Sequence, residues 1–139
     1  METKITVTVA ASVHASLEKV WNTWTLPAHI MQWNNASSDW HTPRAENDLR
    51  PGGKFVSRME AKDGSMGFDF NGIYSTVKKH SLIEYAMEDG RHVRIDFAEN
   101  GEQTTVTETF EAETENPIEL QRMGWQAILD NFKKYVETI

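Results

Sequence analysis

Hydrophobic and polar residues alternate strictly near the start of the chain. Ile5, Val7 and Val9 alternate with Lys4, Thr6 and Thr8, which predicts a half-buried strand over Lys4–Ala10. The period then lengthens. Leu17, Val20, Trp21 and Trp24 recur at i, i+3, i+4 and i+7, one face of a helix that begins at Ser12 or His14 and stops before Pro27. A second short helix, with Pro27 in its first turn, runs to Trp33. Asn34–Gly53 is rich in Asn, Ser, Asp, Pro and Gly and keeps no period, so a long loop is expected there. Trp40 lies in its middle and should fold back onto apolar surface.

Five further alternating runs follow: Lys54–Lys62, Met66–Lys79, Leu82–Glu88, Arg91–Glu99 and Gln103–Thr114. Asp63-Gly64, Asp89-Gly90 and Asn100-Gly101 punctuate them as tight turns of an antiparallel meander. The final segment is helical. Asn116 is a candidate cap, with Pro117 in the first position and Glu119 completing a capping box. Trp125, Ile128, Leu129, Phe132, Tyr135 and Val136 form one apolar stripe, and Asp130 stands three and four residues before Lys133 and Lys134. The expected fold class is α+β: six antiparallel strands in a curved sheet around a long C-terminal helix, with two short helices after the first strand. The amphipathic last helix is the one element long enough to cover the sheet's apolar face.

At 139 residues, a single domain spanning 1–139 is expected. There are no cysteines, which excludes thiol nucleophiles, thiolate metal sites and disulfides. No apolar run approaches a membrane span, and Met1–Ile5 holds no apolar signal core. The expectation is a cytoplasmic protein without membrane insertion. Net charge is −7. Eleven acidic residues against Arg91 and Arg94 put −9 between Glu84 and Glu119, leaving +2 elsewhere. Nucleic acid is therefore not an expected partner, because phosphate binding lacks its basic footprint.

Four segments carry a resemblance: VWNTWTLPAHIMQW, LRPGGKFVSRM, GFDFNGIY and MGWQAILDNF. In this order and with these gaps they resemble the helix-grip, START-like superfamily (SRPBCC), and within it the activator of Hsp90 ATPase homologue family. The resemblance implies a curved sheet gripping the last helix around a hydrophobic cavity. It implies a pocket shared with lipid carriers, polyketide cyclases and antibiotic-sequestering proteins, but no common catalytic set. Two positions depart from the family pattern. Asn34 stands where a second tryptophan is common, and Ile128 where a small residue is common. The larger Ile128 should shrink the cavity and favour a small ligand.

The inward parity and the helix stripe name the expected ligand-binding walls: Trp33, Phe55, Met59, Phe68, Phe70, Tyr74, Tyr85, Met87, Val93, Ile95, Phe97, Glu108, Trp125, Ile128 and Phe132. Tyr74 and Tyr85 stand out because a buried phenol needs a hydrogen-bond partner. Glu108 shares parity with Val106 and Phe110. If it faces inward, its pKa should rise and it becomes a candidate ligand anchor or acid–base group; a bulge would return it to solvent. No two histidines have metal-ligand spacing, so neither metal nor cofactor is expected; Asp39, His41, Glu46 and Asp48 read as a solvated loop cluster, and His29 as surface. The leading expectation is a binding protein for a small apolar molecule. The second is a cyclase- or dehydratase-like enzyme using Glu108 with Tyr74 or Tyr85. The third is contact with Hsp90, although the name-giving relative has a further N-terminal domain outside these residues. A homodimer through a sheet edge or a helix is open.

Overall fold

The computed structural model describes residues 5–139. Lys4, where the first strand was expected to begin, lies outside them. The described elements are β1 (Thr6–Val13), α1 (Leu17–Thr25), α2 (Pro27–Trp33), β2 (Trp40–Asn47), β3 (Lys54–Ala61), β4 (Gly67–Lys78), β5 (Leu82–Met87), β6 (His92–Asn100), β7 (Gln103–Glu111) and α3 (Ile118–Thr138). Seven strands form one antiparallel sheet in the order β1-β7-β6-β5-β4-β3-β2. The sheet curls around α3, which is the helix-grip arrangement.

The count of seven corrects the expected six. β2 lies inside the stretch expected to be a loop. It pairs with β3 alone, and its register shifts between His41 and Arg44, around Pro43. An edge strand tolerates a proline and a bulge that a central strand does not. With one side unpaired and both faces partly solvated, such a strand need not alternate. Trp40 opens β2 and meets the Phe68 ring at 6.0 Å, so it does fold onto apolar surface.

Helix boundaries move for local reasons. α1 starts after Ser16, whose side chain accepts from the Lys19 backbone N–H, because residues up to Val13 still belong to β1. At α3 the expected Asn116 cap is replaced: Pro117 occupies that position without a side-chain cap. The buried Gln121 amide satisfies the turn instead, donating to the Glu113 and Asn116 carbonyls and accepting from the Glu113 N–H. Asp130 accepts from Gln126 rather than pairing with Lys133 or Lys134.

Both sheet edges are covered. On β1, Arg122 and Gln126 of α3 donate to the Thr8 and Ala10 carbonyls at 3.1 and 3.0 Å. On the β2 side, Thr42 donates to the Asn34 carbonyl and Asn47 to the Thr25 carbonyl. The core lies where α1, α2 and α3 meet the sheet. Leu129, Phe132 and Val136 of α3 are fully buried against Val7, Val9, Val106 and Val20. Phe132 meets Trp24 and Trp33 edge-on at 4.9 Å each. Burying a side chain of this size stabilises by about 2–3 kcal/mol. Trp33 is locked by its indole N–H, which donates to the Thr23 carbonyl at 2.9 Å. This packing closes one end of the space between sheet and helix and leaves the other end open.

Candidate functional site

The open end is a cavity of about 270 Å³ between the sheet and the first half of α3. Its floor is built by strand register. Tyr74 and Tyr85 of β4 and β5 line it, and the same row continues through Val93 and Phe110 of β6 and β7, which lie outside the cavity. Gly72 opposes Phe55 in the neighbouring row. A Cβ on Gly72 would stand 2.8 Å from the Phe55 ring and 2.7 Å from the Ala86 carbonyl, so the glycine is what lets Phe55 lie flat across β4. The Phe55 ring in turn contacts Tyr74 at 5.2 Å, Tyr85 at 4.8 Å and Phe70 at 5.9 Å.

Trp125 supplies the roof. It stacks on Phe110 at 4.1 Å, 11° from parallel, and meets Phe70 edge-on at 6.3 Å. The tryptophan therefore bridges helix and sheet at one side and holds them apart over Tyr74 and Tyr85. Ile128, one turn further along α3, narrows the space from above. Phe68, 48% exposed, and Glu46, which is also exposed, mark the rim. A larger hollow of about 560 Å³ among Gln32, Ser37, Lys62, Asp130 and Lys134 has solvated polar walls and is no match in chemistry.

Twelve of the fifteen expected wall residues line the cavity, among them Trp33, Phe55, Met59, Phe68, Phe70, Tyr74, Tyr85, Met87, Glu108, Trp125 and Ile128. Ile95 is the twelfth. Phe97, Phe132 and Val93 do not. Phe97 is packed against Trp21 and Trp24 at 5.1 and 5.9 Å, so it belongs to the core, as does Phe132. Sequence reasoning passed over Trp24, Ile30 and Asn34 from the helices, Asn47 and Ser57 from β2 and β3, and Arg91 beside β6. Ser57 shares parity with Phe55 and Met59, so a signal for it existed. Asn47 had none, because β2 was unrecognised.

The polar groups in this apolar space differ in how they are satisfied. Tyr74 donates to the Asn47 side-chain carbonyl at 2.6 Å, and Asn47 is itself anchored on Thr25. Burial pushes the Tyr74 phenol above the usual tyrosine range. Arg91 is held by the Asp89 carboxylate at 2.8 Å and by the Glu111 carbonyl at 3.3 Å. Tyr85 is 6% exposed, and its hydroxyl makes no hydrogen bond to any described residue. Burial, and then the nearby Glu108 carboxyl, raise its pKa.

Glu108 faces inward. β7 runs without a bulge, pairing Glu108 with Val9 on β1 and Ile95 on β6. The residue is 4% exposed, and no hydrogen bond to its carboxyl exists among the described residues. Desolvation lifts its pKa to about 8. The carboxyl therefore rests as the neutral acid at neutral pH, with a donor and acceptors unused.

The acidic loop residues do not converge. His41 lies 3.8 Å from Glu60 across β2 and β3, and Asp48 pairs with Arg50. Among the described residues there is no group of three or more His, Asp or Glu able to hold a metal. His29 is half-buried rather than on the surface, with Nδ1 2.7 Å from the Tyr135 hydroxyl. No helix among the described residues is long and apolar enough to cross a membrane.

A curled sheet, a gripped helix and a hollow between them define a START-like helix-grip protein. The chain belongs to the AHSA1 family, described as activator of Hsp90 ATPase homolog 1-like protein, whose family model matches residues 14–137. It is similar to the AHSA1-like protein of Aeromonas hydrophila, solved by NMR: 46% identity, 96% of this chain and 93% of that one, TM-score 0.91. It is also similar to Chr148 of Cytophaga hutchinsonii, at 55% identity over 95% and 92% of the two chains, with a TM-score of 0.83. Protein NE0264 of Nitrosomonas europaea shares the fold at 17% identity, 96% and 95% coverage and a TM-score of 0.84. A comparison with curated proteins gives no match.

Proposed function

We propose that this protein binds a small hydrophobic or amphipathic molecule in the cavity between its sheet and α3. The observation that carries the reading is the space held open over Tyr74 and Tyr85 while Trp125 rests on Phe110. Concave, mostly apolar hollows with a few polar groups are the usual form of a small-molecule site, and about 270 Å³ lies just below their usual range of about 300–1,000 Å³, which favours a small ligand. Aromatic walls supply affinity through burial; Tyr85 and Glu108 supply orientation. A panel of small apolar compounds, followed by tryptophan fluorescence and by melting temperature, tests this. Trp33 and Trp125 line the cavity, so a bound molecule changes their emission, and a ligand at 100 times its Kd stabilises by about 2.7 kcal/mol. A panel that changes neither signal removes the proposal.

A second reading rests on Glu108. A neutral carboxyl in a mostly apolar cavity beside a tyrosine is suited to general acid–base work on a bound molecule, as a cyclase or dehydratase needs. Turnover of a bound compound that Glu108→Gln abolishes, with binding retained, would distinguish catalysis from carriage. Binding without turnover in both proteins excludes it.

A further inference from the structure

Glu108 is the least satisfied polar group of the cavity, and its surroundings restrict what can satisfy it. Its neighbours in register, Val9 and Ile95, are apolar, and so are Trp125 and Ile128 above. The other ionisable side chains sharing the space are Tyr74, Tyr85, Arg91 and, at the rim, Glu46. Tyr74 is engaged with Asn47, and Arg91 with Asp89 and the Glu111 carbonyl. Among the described residues, no free cation lines the cavity to pair with the carboxyl. The walls include the aromatic rings of Phe55, Phe70, Tyr85 and Trp125, a ring type whose faces attract positive charge. The strands beneath, β5 to β7, lie in the stretch of chain that carries net −9.

From this arrangement we infer that the ligand is an organic cation: an apolar, preferably aromatic, body bearing an ammonium group that pairs with the Glu108 carboxylate. The inference rests on the cavity reading above and specifies its ligand class. An anionic ligand would meet a buried acid and an arginine already neutralised. A neutral hydrocarbon would fill the volume and leave the carboxyl unpaired. A cation changes the balance. In the empty cavity the carboxyl is neutral, since burial holds its pKa at about 8. When the cation enters, Glu108 releases its proton to solvent and becomes the counter-ion. One positive charge enters and one proton leaves, so no uncompensated charge is buried.

The exchange is measurable. Benzyltrimethylammonium, which has no proton to lose, and its neutral isostere neopentylbenzene are titrated into the wild-type chain and into Glu108→Gln. Binding is followed by tryptophan fluorescence, and proton release by calorimetry in buffers of different ionisation enthalpy. The cation should release close to one proton at pH 7. Its affinity should rise about tenfold per pH unit up to about pH 8 and then level off. Glu108→Gln should weaken it about 30-fold or more and abolish the proton release. Neopentylbenzene should bind both proteins alike without releasing protons. Because Glu108→Gln keeps shape and removes only the ionisable group, a melting curve verifies its fold; the proton release of the wild-type chain tests the inference independently. Cation binding without proton release, or equal in the two proteins, overturns the inference. Binding of neopentylbenzene alone overturns it and leaves the cavity reading standing. Binding of neither overturns both.

Discussion

Glu108 should make the fold less stable as pH rises through neutrality, the opposite of what surface carboxylates do. An unfolded glutamate ionises near the ordinary value of 4.5, whereas the buried one waits until about 8. Between these limits the folded chain holds a proton that the unfolded chain has lost. Stability must then fall with pH by up to about 1.4 kcal/mol per unit. The contribution is complete below pH 4.5 and gone above 8, a span of about 5 kcal/mol, of which about 3 kcal/mol is already lost at pH 7. These are upper figures, because a carboxyl facing a cavity that admits water is less desolvated than one in solid core. Asp63, Asp89 and Glu113 have lowered pKa values, held down by hydrogen bonds from Ser65, Arg91 and the Glu115 and Asn116 backbone. Their contributions are lost in acid, below this window. Glu108→Gln cancels the titration and keeps the shape. The assay is urea unfolding of both proteins from pH 5 to 8.5. The gap between the two curves should widen in favour of the variant as pH rises, by several kcal/mol across the window. Parallel curves would refute the claim that this carboxyl is buried without a partner.

Three other substitutions separate core from cavity. Phe132→Ala removes a fully buried ring packed by Trp24 and Trp33 and should cost about 3–5 kcal/mol in chemical denaturation; a cost below 1 kcal/mol would mean that the rings there are loosely packed. Gly72→Ala forces a methyl against Phe55 and the Ala86 carbonyl and should lower stability by about 1–3 kcal/mol, visible as a lower Tm, whereas an unchanged Tm would contradict the close approach. Ile128→Trp should fill the cavity, abolishing binding of small apolar compounds with a loss of stability under about 3 kcal/mol; retained binding would place the site elsewhere.

Parity along β3 to β7 carried most of this architecture. Each strand buries alternate residues because one face of the sheet meets the helix, and that period is written directly in Val93, Ile95 and Phe97 or in Val106, Glu108 and Phe110. The inward position of Glu108 was legible for the same reason: an intact alternation leaves a carboxylate nowhere else to point. Parity says which side of the sheet a residue faces, but not what covers it. Phe97 and Phe55 share the inner face, yet Trp21 and Trp24 of α1 pack over Phe97, while nothing fills the space above Phe55. Phe132 and Ile128 likewise share one helix stripe, yet Trp33 of α2 packs its ring on Phe132, while Ile128 faces the cavity. β2 escaped notice because a one-sided edge strand with Pro43 has no need to alternate. With it went Asn47, whose place beside Tyr74 depends on long-range pairing that no local pattern encodes.

The departure at Ile128 has a counterpart in three dimensions. Its side chain does line the cavity, and the volume is modest. Asn34, where the family commonly has a tryptophan, also borders the space, so a polar group stands near the mouth in place of an indole. Both positions act on the same variable, the size and polarity of what fits.

The central claim is that the hollow between sheet and helix takes up small molecules. Intermolecular NOEs between a bound apolar probe and the methyl groups of selectively labelled chain test it most directly. Met59, Met87 and Ile128 should show NOEs to the probe, while Val13 and Val136, buried in the core, should show none. A probe that contacts only exposed methyls such as those of Met66 and Met123, and leaves the cavity methyls silent, would contradict the account.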